Sequence, residues 1–349
     1  MHIVIDARMV GPFQHGIGRH TLNLIQTLER LSKKHHYTLL VNNDFLSQKT
    51  KFPLKKIKSK WISFHEHLEL PLVLKSLKAD VYHSPSVVIP YYCPVPFVVT
   101  VHDLIHIDFK EDQRWTYKLY YQTVLKRGLD LAKKIITVSA YTKDRLLKYY
   151  NTNEKKIRVI HNGVDPFFRP LPKENMENFR KHFGLPEKFI LYIGNSKKHK
   201  NIERVLEAYQ KIQTNIPLIV AGVSQRIPIP NVQFIPHMND EELLSLYNLS
   251  LFVVCPSLYE GFGFPMVEAL ACGKTVITSP VTAIPEIVGN AALFVDPYDS
   301  KAIGLAIENT LSSKTTEKIN EAGIQQAKKF SWEKMTREVM EVHESCYRS

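Results

Sequence analysis

Short apolar runs rich in β-branched residues recur along the chain, and longer stretches with helical spacing lie between them. In the first half the runs fall at 2–6 (HIVID), 37–42, 61–64, 80–83, 97–102 (FVVTVH), 134–138 and 157–160. Helical apolar spacing occupies the regions near 18–32, 67–78, 113–132 and 140–150. The second half repeats the alternation, with strand candidates at 189–193 (FILYI), 217–221, 232–235, 251–254, 275–278 and 293–295. Its helix candidates lie near 200–213, 239–248, 265–272 and 299–312. Strands that are apolar throughout, instead of at alternate residues, are covered on both faces. Separated by helices, they predict a parallel α/β sheet. Between the halves, HNGVDPFFRPLPKEN (161–175) has three prolines, one glycine and neither period, which is linker chemistry. The expected organisation is therefore 1–169, 170–331, and a last helix over 332–349 for which Ser331 is a suitable N-cap.

Composition narrows the class. The chain has 349 residues, 44% apolar and 23% charged, as expected of two soluble globular domains. No segment approaches the roughly 20 apolar residues of a membrane span. The opening MHIVIDARM reads as a buried strand, unlike a secretory leader. Cys93, Cys255, Cys272 and Cys346 are far apart and form no CxxC, which disfavours a disulfide framework or zinc cluster and fits a reducing cytoplasm. Charge is uneven. Residues 1–169 hold 27 Lys+Arg and 14 Asp+Glu, a net of +13, and residues 170–349 hold 19 and 20, a net of −1. A basic half points to an anionic partner: nucleic acid, an acidic substrate or a membrane surface.

The most informative stretch is PSLYEGFGFPMVEALACG (256–273), which follows the strand candidate LFVV. Gly261 and Gly263 permit a tight turn with exposed amides, and Pro265 suits the first turn of a helix. Such a helix start attracts phosphate through free N–H groups and the helix dipole. Glu260 precedes the turn and Glu268 lies about one turn into the helix. Carboxylates repel phosphate, so beside one they suit sugar hydroxyls. A glycine-rich turn with a dipole-favoured glutamate is the plain structural reading of the same residues.

The spacing EGFGFPMVE resembles the signature of family 4 retaining glycosyltransferases. GIGRHT (16–21), VTVHD (99–103), VSAYTKDRL, VIHNGVDPFF, KHKN (198–201) and SPVTAIPEIVGNAALFVDPYD (279–299) resemble further segments of that family, in order along nearly the whole chain. The resemblance implies a GT-B fold: two facing Rossmann-like domains with parallel sheets and an interdomain cleft. The first domain would take the acceptor, the second the nucleotide sugar, and the final helix would cross back to the first. It further implies roles. Glu260 would contact donor-sugar hydroxyls and Glu268 the ribose. Backbone amides of Phe262, Gly263 and Phe264 would face the diphosphate and sugar. Lys200 would neutralise the departing diphosphate, Gly16 would let a first-domain loop approach it, and His102 would sit at the reacting centre. Relatives often carry an arginine directly after the glycine that ends the first strand of the second domain. Here Asn195 follows Gly194, so a second cation would come from Lys197 or Lys198, or be absent.

Other chemistries fit less well. HDLIH (102–106) spaces two histidines like a zinc motif, but Asp103 replaces the glutamate and a strand precedes it. GIGRHT has Thr21 where a dinucleotide fingerprint has its last glycine. No DxD occurs, so a metal-bridged diphosphate has no ligands and no metal is expected; no cofactor is expected beyond the nucleotide-sugar donor. QKTKFPLKKIKSKW (48–61) sets Lys49, Lys51, Lys55, Lys56, Lys58 and Lys60 among Phe52, Leu54, Ile57 and Trp61. That pattern suits an anionic membrane surface or a solvated loop; nucleic acid lacks a supporting domain motif. The expected activity is a retaining, metal-independent hexosyl transfer from a nucleoside-diphosphate sugar to a glycan or lipid-linked hydroxyl. Family members with GIGRHT and EGFGFPMVEA most resemble mannosyltransferases of bacterial surface polysaccharide or lipopolysaccharide assembly, which favours mannose and GDP-mannose. The expected location is cytoplasmic, peripheral on the inner face of the cell membrane. Alternatives are a GT-B nucleotide-sugar epimerase or phosphorylase and, more remotely, a basic nucleic-acid-binding protein.

Overall fold

The computed structural model describes the chain apart from residues 13–15, 110–114, 225–227, 237, 314–315 and 349. Two compact units divide it: Met1–Gly163 with Ser331–Ser349, and Val164–Phe330. The first is built on β1 (His2–Asp6), β2 (His36–Val41), β3 (Leu54–Lys56), β4 (Val81–Ser84), β5 (Phe97–Val101), β6 (Lys134–Thr137) and β7 (Ile157–Val159). All pair in parallel, in the order β3-β2-β1-β4-β5-β6-β7. Its helices are α1 (Gly16–Leu31), α2 (Glu66–Ser76), α3 (Ile105–Asp108), α4 (Trp115–Tyr120), α5 (Lys126–Leu131) and α6 (Ala140–Tyr150). The central strands are buried throughout, with Ile3, Val4 and Ile5 at 0% exposure, as their unbroken apolar runs require. α1 buries Leu24, Ile25 and Leu28 along one face. α6 starts at Ser139, whose side chain accepts from the Thr142 amide, and stops at Asn151 in the left-handed region.

The second unit is built on β8 (Ile190–Ile193), β9 (Leu218–Ala221), β10 (Val232–Ile235), β11 (Val253–Cys255), β12 (Val276–Thr278) and β13 (Leu293–Phe294), in the order β10-β9-β8-β11-β12-β13. Its helices are α7 (Glu177–His182), α8 (Ile202–Lys211), α9 (Asp240–Leu249), α10 (Phe264–Ala271), α11 (Ile284–Val288), α12 (Ser300–Ser312) and α13 (Thr316–Ala327). Both sheets have the doubly wound order 3-2-1-4-5-6, extended by a seventh strand in the first unit, and in each the strand order reverses between the first and fourth strands. This is the Rossmann-like pairing of the GT-B fold.

Several expectations are corrected. Residues 61–64 form a turn, not a strand, because Ile62 takes φ 53°, a value closed to β structure. The edge strand is instead β3, inside the lysine run, where exposed Lys55 and Lys56 suit an unpaired edge. The helix expected at 113–132 is three pieces, α4, a π-helical turn Tyr121–Leu125, and α5; residues 113–114 lie outside the described chain. The short helices α3, α7 and α11 and the polar α13 carried no clear period. α13 packs on α10 through Gly323, where a Cβ would lie 2.9 Å from a Leu270 methyl. The division between units falls after Gly163 instead of near Pro170. The cause is that the linker packs on the second unit: Val164 N–H donates to Phe330 O at 3.2 Å, Phe168 meets Tyr247, and Leu171 N–H donates to Asn248 Oδ1 at 2.8 Å.

The last helix, Trp332–Arg348, belongs to the first unit and lies against α1, β4 and β5. It buries Met335, Val339, Val342 and Cys346, and its His343 Nε2 is 3.0 Å from His83 Nδ1. Among the described residues, no helix is long and apolar enough to cross a membrane.

Candidate active site

In the second unit the chain after β8 turns once, over Lys198–Lys200, before α8. Asn201 stands between turn and helix at φ 63°, a conformation asparagine tolerates. Its amide donates to Pro256 O at 2.9 Å and Pro297 O at 2.7 Å, and the Leu258 N–H donates to His199 O at 2.7 Å. Tyr192 OH, from β8, donates to Lys200 O at 3.0 Å. The loop after β8 is thus fastened to the loop after β11, across the point where strand order reverses.

That fastening sets Lys200 Nζ 2.7 Å from Glu260 Oε1, with side-chain exposures of 17% and 11%. Ser257 Oγ donates to the same carboxylate oxygen at 2.9 Å. The Glu260 backbone N–H donates to Thr282 Oγ1 at 3.1 Å, and its carbonyl accepts from Ala283 N–H. A pair this sheltered is stronger than a surface ion pair. Gly263 then takes φ 93° and opens α10, with Pro265 in the first turn. Phe262 is buried, its ring edge-on to Phe264 and Phe330.

Glu268, inside α10, is only 2% exposed, and its Oε2 accepts from Tyr247 OH at 2.9 Å. Burial and the adjacent carboxylate hold the Tyr247 phenol well above its ordinary pKa, so it remains a donor. The side chains of Lys197 and Lys198 are exposed on the turn, and the Lys197 amide closes on Asn195 Oδ1 at 3.1 Å.

In the first unit Gly16 is exposed at the start of α1. Gly18, two residues further on, has the tighter constraint: a Cβ there would lie 2.8 Å from Met9 O. His102 follows β5, half-buried, with Nε2 2.9 Å from Pro85 O and its ring edge-on to His20 at 4.7 Å. His20 Nδ1 is 2.7 Å from Asn162 Oδ1. Burial pushes His102 down to about 4 and His20 to about 3, so both rings are neutral at pH 7. At the carboxyl end of β1, Arg8 joins Asp6 and Glu66 of α2 (2.6 and 3.0 Å), and all three are buried. Among the described residues, no group of three or more His, Cys, Asp or Glu is placed to hold a metal ion.

The structure thus brings Lys200, Glu260 and the Gly263 turn together, and places Glu268 beneath α10. In the first unit it sets His102 against His20, with Gly16 exposed at the start of the same helix as His20. Sequence reasoning missed Ser257, Thr282, Asn201, His20 and Asn162 as supports. Ser257, Asn201 and His20 lie inside segments whose roles fall to other residues, and Thr282 and Asn162 lie in segments that carry the resemblance without an assigned role.

The six lysines of the basic run are exposed, with Lys56 paired to Asp44 at 2.6 Å and Lys49 over the Phe45 ring. The apolar residues between them turn inward: Ile57 is buried and Phe52 packs on Tyr37.

Of the two doubly wound units, the second holds a lysine–carboxylate pair beside a glycine-opened helix. The description Glycosyltransferase Family 4 matches residues 15–167, and Glycosyl transferases group 1 matches residues 175–330. The O-antigen chain mannosyltransferase B of Escherichia coli is 31% identical over 288 residues, which is 77% of this chain and 75% of that one. The chain belongs to glycosyltransferase family 4. A glycosyltransferase from Rickettsia africae ESF-5 superposes with a TM-score of 0.78 at 21% identity, covering 99% of this chain and 98% of the other. Anabaena HepE, solved with UDP-glucose, does so with 0.81 at 14% identity, covering 99% and 100%.

Proposed function

We propose that the protein transfers a hexose, mannose in the favoured reading, from a nucleoside-diphosphate sugar to a hydroxyl of a glycan or lipid-linked acceptor, with retention. The product would enter surface polysaccharide or lipopolysaccharide synthesis. The observation that carries this is the Lys200–Glu260 pair at the head of α10. Lysine in a sheltered site can stabilise charge that grows on a departing diphosphate, and the helix start adds amide dipoles directed the same way. Glu260, already anchored by Lys200 and Ser257, would accept hydrogen bonds from the donor sugar. Phe262, Gly263 and Phe264 would supply the backbone at the diphosphate, Glu268 the ribose contact, and Gly16 a close first-unit approach. His102, held neutral, would hydrogen-bond at the reacting centre without adding a competing charge.

Mannose is favoured because the O-antigen relative named above is a mannosyltransferase, and GDP-mannose is the donor that follows. Metal is not required in this scheme, since lysine takes the electrostatic role. The basic first unit would hold the enzyme at the inner face of the cell membrane through Lys49, Lys51, Lys55, Lys56, Lys58 and Lys60, at about 1 kcal/mol per lysine at best.

The decisive experiment is a thermal-shift screen with GDP-, UDP-, ADP- and dTDP-sugars, followed by product analysis with the stabilising donor in EDTA. The expected outcome is a shift with GDP-mannose and turnover that survives the chelator. Stabilisation by another nucleotide alone would replace the donor. Loss of turnover restored by a divalent ion would replace the leaving-group chemistry. Donor turnover without an acceptor would favour an epimerase.

A further inference from the structure

The lysine run presents charge, but its apolar residues face inward. The element after it does the reverse. α2 reads EHLELPLVLKS and is apolar on more than one side. Its inner side is fixed: Leu70 and Leu74 are fully buried, and the buried Glu66 carboxylate is 3.0 Å from Arg8. Its outer side carries Leu68 and Leu72, aligned with Phe64 just before the helix at intervals of four residues. These side chains are 61%, 68% and 76% exposed, respectively. A helix apolar all round is ordinarily covered all round. Tyr91 extends the patch sideways: its N–H donates to His67 Nδ1 at 3.1 Å, and the Arg127 guanidinium lies 4.6 Å above its ring. Exposed Lys60 and Lys75 flank the stripe along the chain. The remaining acid of α2, Glu69, is turned to the amides of Lys58 and Ser59 at 2.9 and 2.7 Å.

We propose that this outer face of α2 is a membrane-docking surface, laid flat on an anionic bilayer. Phe64, Leu68 and Leu72 enter the boundary between headgroups and acyl chains, while Lys60, Lys75 and Arg127 meet lipid phosphates. Two arguments select a bilayer over a second copy of the chain. The rim is cationic, so two such faces would repel, whereas anionic headgroups complement it. Three side chains offer at most roughly 500 Å², against roughly 800 Å² per partner in a stable protein interface. An in-plane helix with a buried apolar stripe and basic flanks is the usual geometry of reversible interfacial binding. The inference deepens the membrane reading of the preceding subsection and adds a contribution that salt does not screen.

The test is co-sedimentation with vesicles of equal parts phosphatidylglycerol and phosphatidylcholine, at low salt and at about 1 M salt, where the Debye length falls to about 3 Å. Wild type, a triple variant (Phe64→Ser, Leu68→Ser, Leu72→Ser) and a variant with Lys49, Lys51, Lys55, Lys56, Lys58 and Lys60 changed to glutamine are compared. The triple variant removes only exposed groups, and an unchanged Tm certifies its fold. Wild type is expected to keep a bound fraction in high salt. The triple variant should lose that fraction at least tenfold, and the glutamine variant should keep it. Complete release of wild type by salt, or a triple variant that binds like wild type in high salt, overturns the proposal. A wild-type dimer in sedimentation velocity that the triple substitution abolishes also overturns it, in favour of a second copy. Turnover of a water-soluble acceptor is measured in parallel, so failure of the transfer reading shows there and not in the vesicle assay.

Discussion

In the first unit, the imidazoles gathered around the carboxyl ends of the strands are kept uncharged. His83 closes β4 fully buried, His102 follows β5, and His20 and His343 reach them from helices, all with pKa values pushed down by burial. In the second unit the same region of the same topology holds Lys200 and Glu260 as a close pair with some access to water. Imidazole can escape the cost of burial by giving up its proton near neutral pH, whereas lysine and glutamate each need a partner. One sheet order therefore serves two electrostatic purposes, and the residue type placed in the loops selects between them.

The largest effect that could break this contrast is at the pair. Lys200→Ala should lower kcat about a hundredfold or more, the range seen when one donor to a developing anion is removed. It should do so with an unchanged first-unit hydrogen-exchange pattern. A kcat near wild type would mean that the pair is structural only. Glu260→Ala should lower turnover at least tenfold, which needs about 1.4 kcal/mol. Glu268→Ala should chiefly raise the donor KM and lower Tm, because Tyr247 loses its nearer buried acceptor and keeps only Pro265 O at 3.2 Å.

The histidines sharpen the contrast through acid. Their folded pKa values lie below the unfolded value of about 6.5, so the unfolded chain binds more protons in acid. Their stabilising contribution is present above about pH 6.5 and is lost as pH falls toward the folded values, about 4 for His102 and about 3 for His20 and His343. At pH 5 His20 and His343, with folded values of about 3, should each cost the first unit about 2 kcal/mol. Hydrogen exchange, corrected for its intrinsic pH dependence, should loosen β1, β4 and β5 between pH 6.5 and 5. Equal loosening of β8 and β11 would erase the distinction. The last and most local effect, confined to packing in the first unit, is at Gly18. Gly18→Ala sets a methyl 2.8 Å from Met9 O and should destabilise the first unit by about 1–3 kcal/mol, read from its denaturation midpoint.

The parallel sheets were legible because β8 and β9 are apolar throughout, β1 and β5 nearly so, and helical periods recur between most of the strands. The run at 61–64 misled because Trp61, Ile62 and Phe64 are apolar, and nothing local announces that Ile62 turns left-handed. β3 was hidden in the opposite way, since an edge strand pairs on one side only and tolerates lysine. Glu260 and Lys200 could be singled out from turn chemistry and resemblance. Their partnership could not, because it depends on Asn201 joining loops 55 and 96 residues away along the chain. His20 lay in a segment noticed for its glycines, and its link to Asn162 spans 142 residues, beyond any local period.

The chain leaves its first unit at Gly163 and comes back at Ser331. The two crossings touch: a Cβ on Gly163 would lie 2.2 Å from the Trp332 nitrogen, so only glycine fits. This interruption has a consequence for biosynthesis. At roughly 5–20 residues per second, a ribosome needs roughly ten to thirty seconds to make Val164–Phe330. Throughout that interval the nascent first sheet lacks the helix that seats His343 on His83 and covers its apolar flank. The inserted unit, contiguous in the chain, can finish folding before the one that was begun first. The newborn N-terminal half is therefore the part most exposed to chaperones and proteases, and release of the last helix from the exit tunnel ends that exposure.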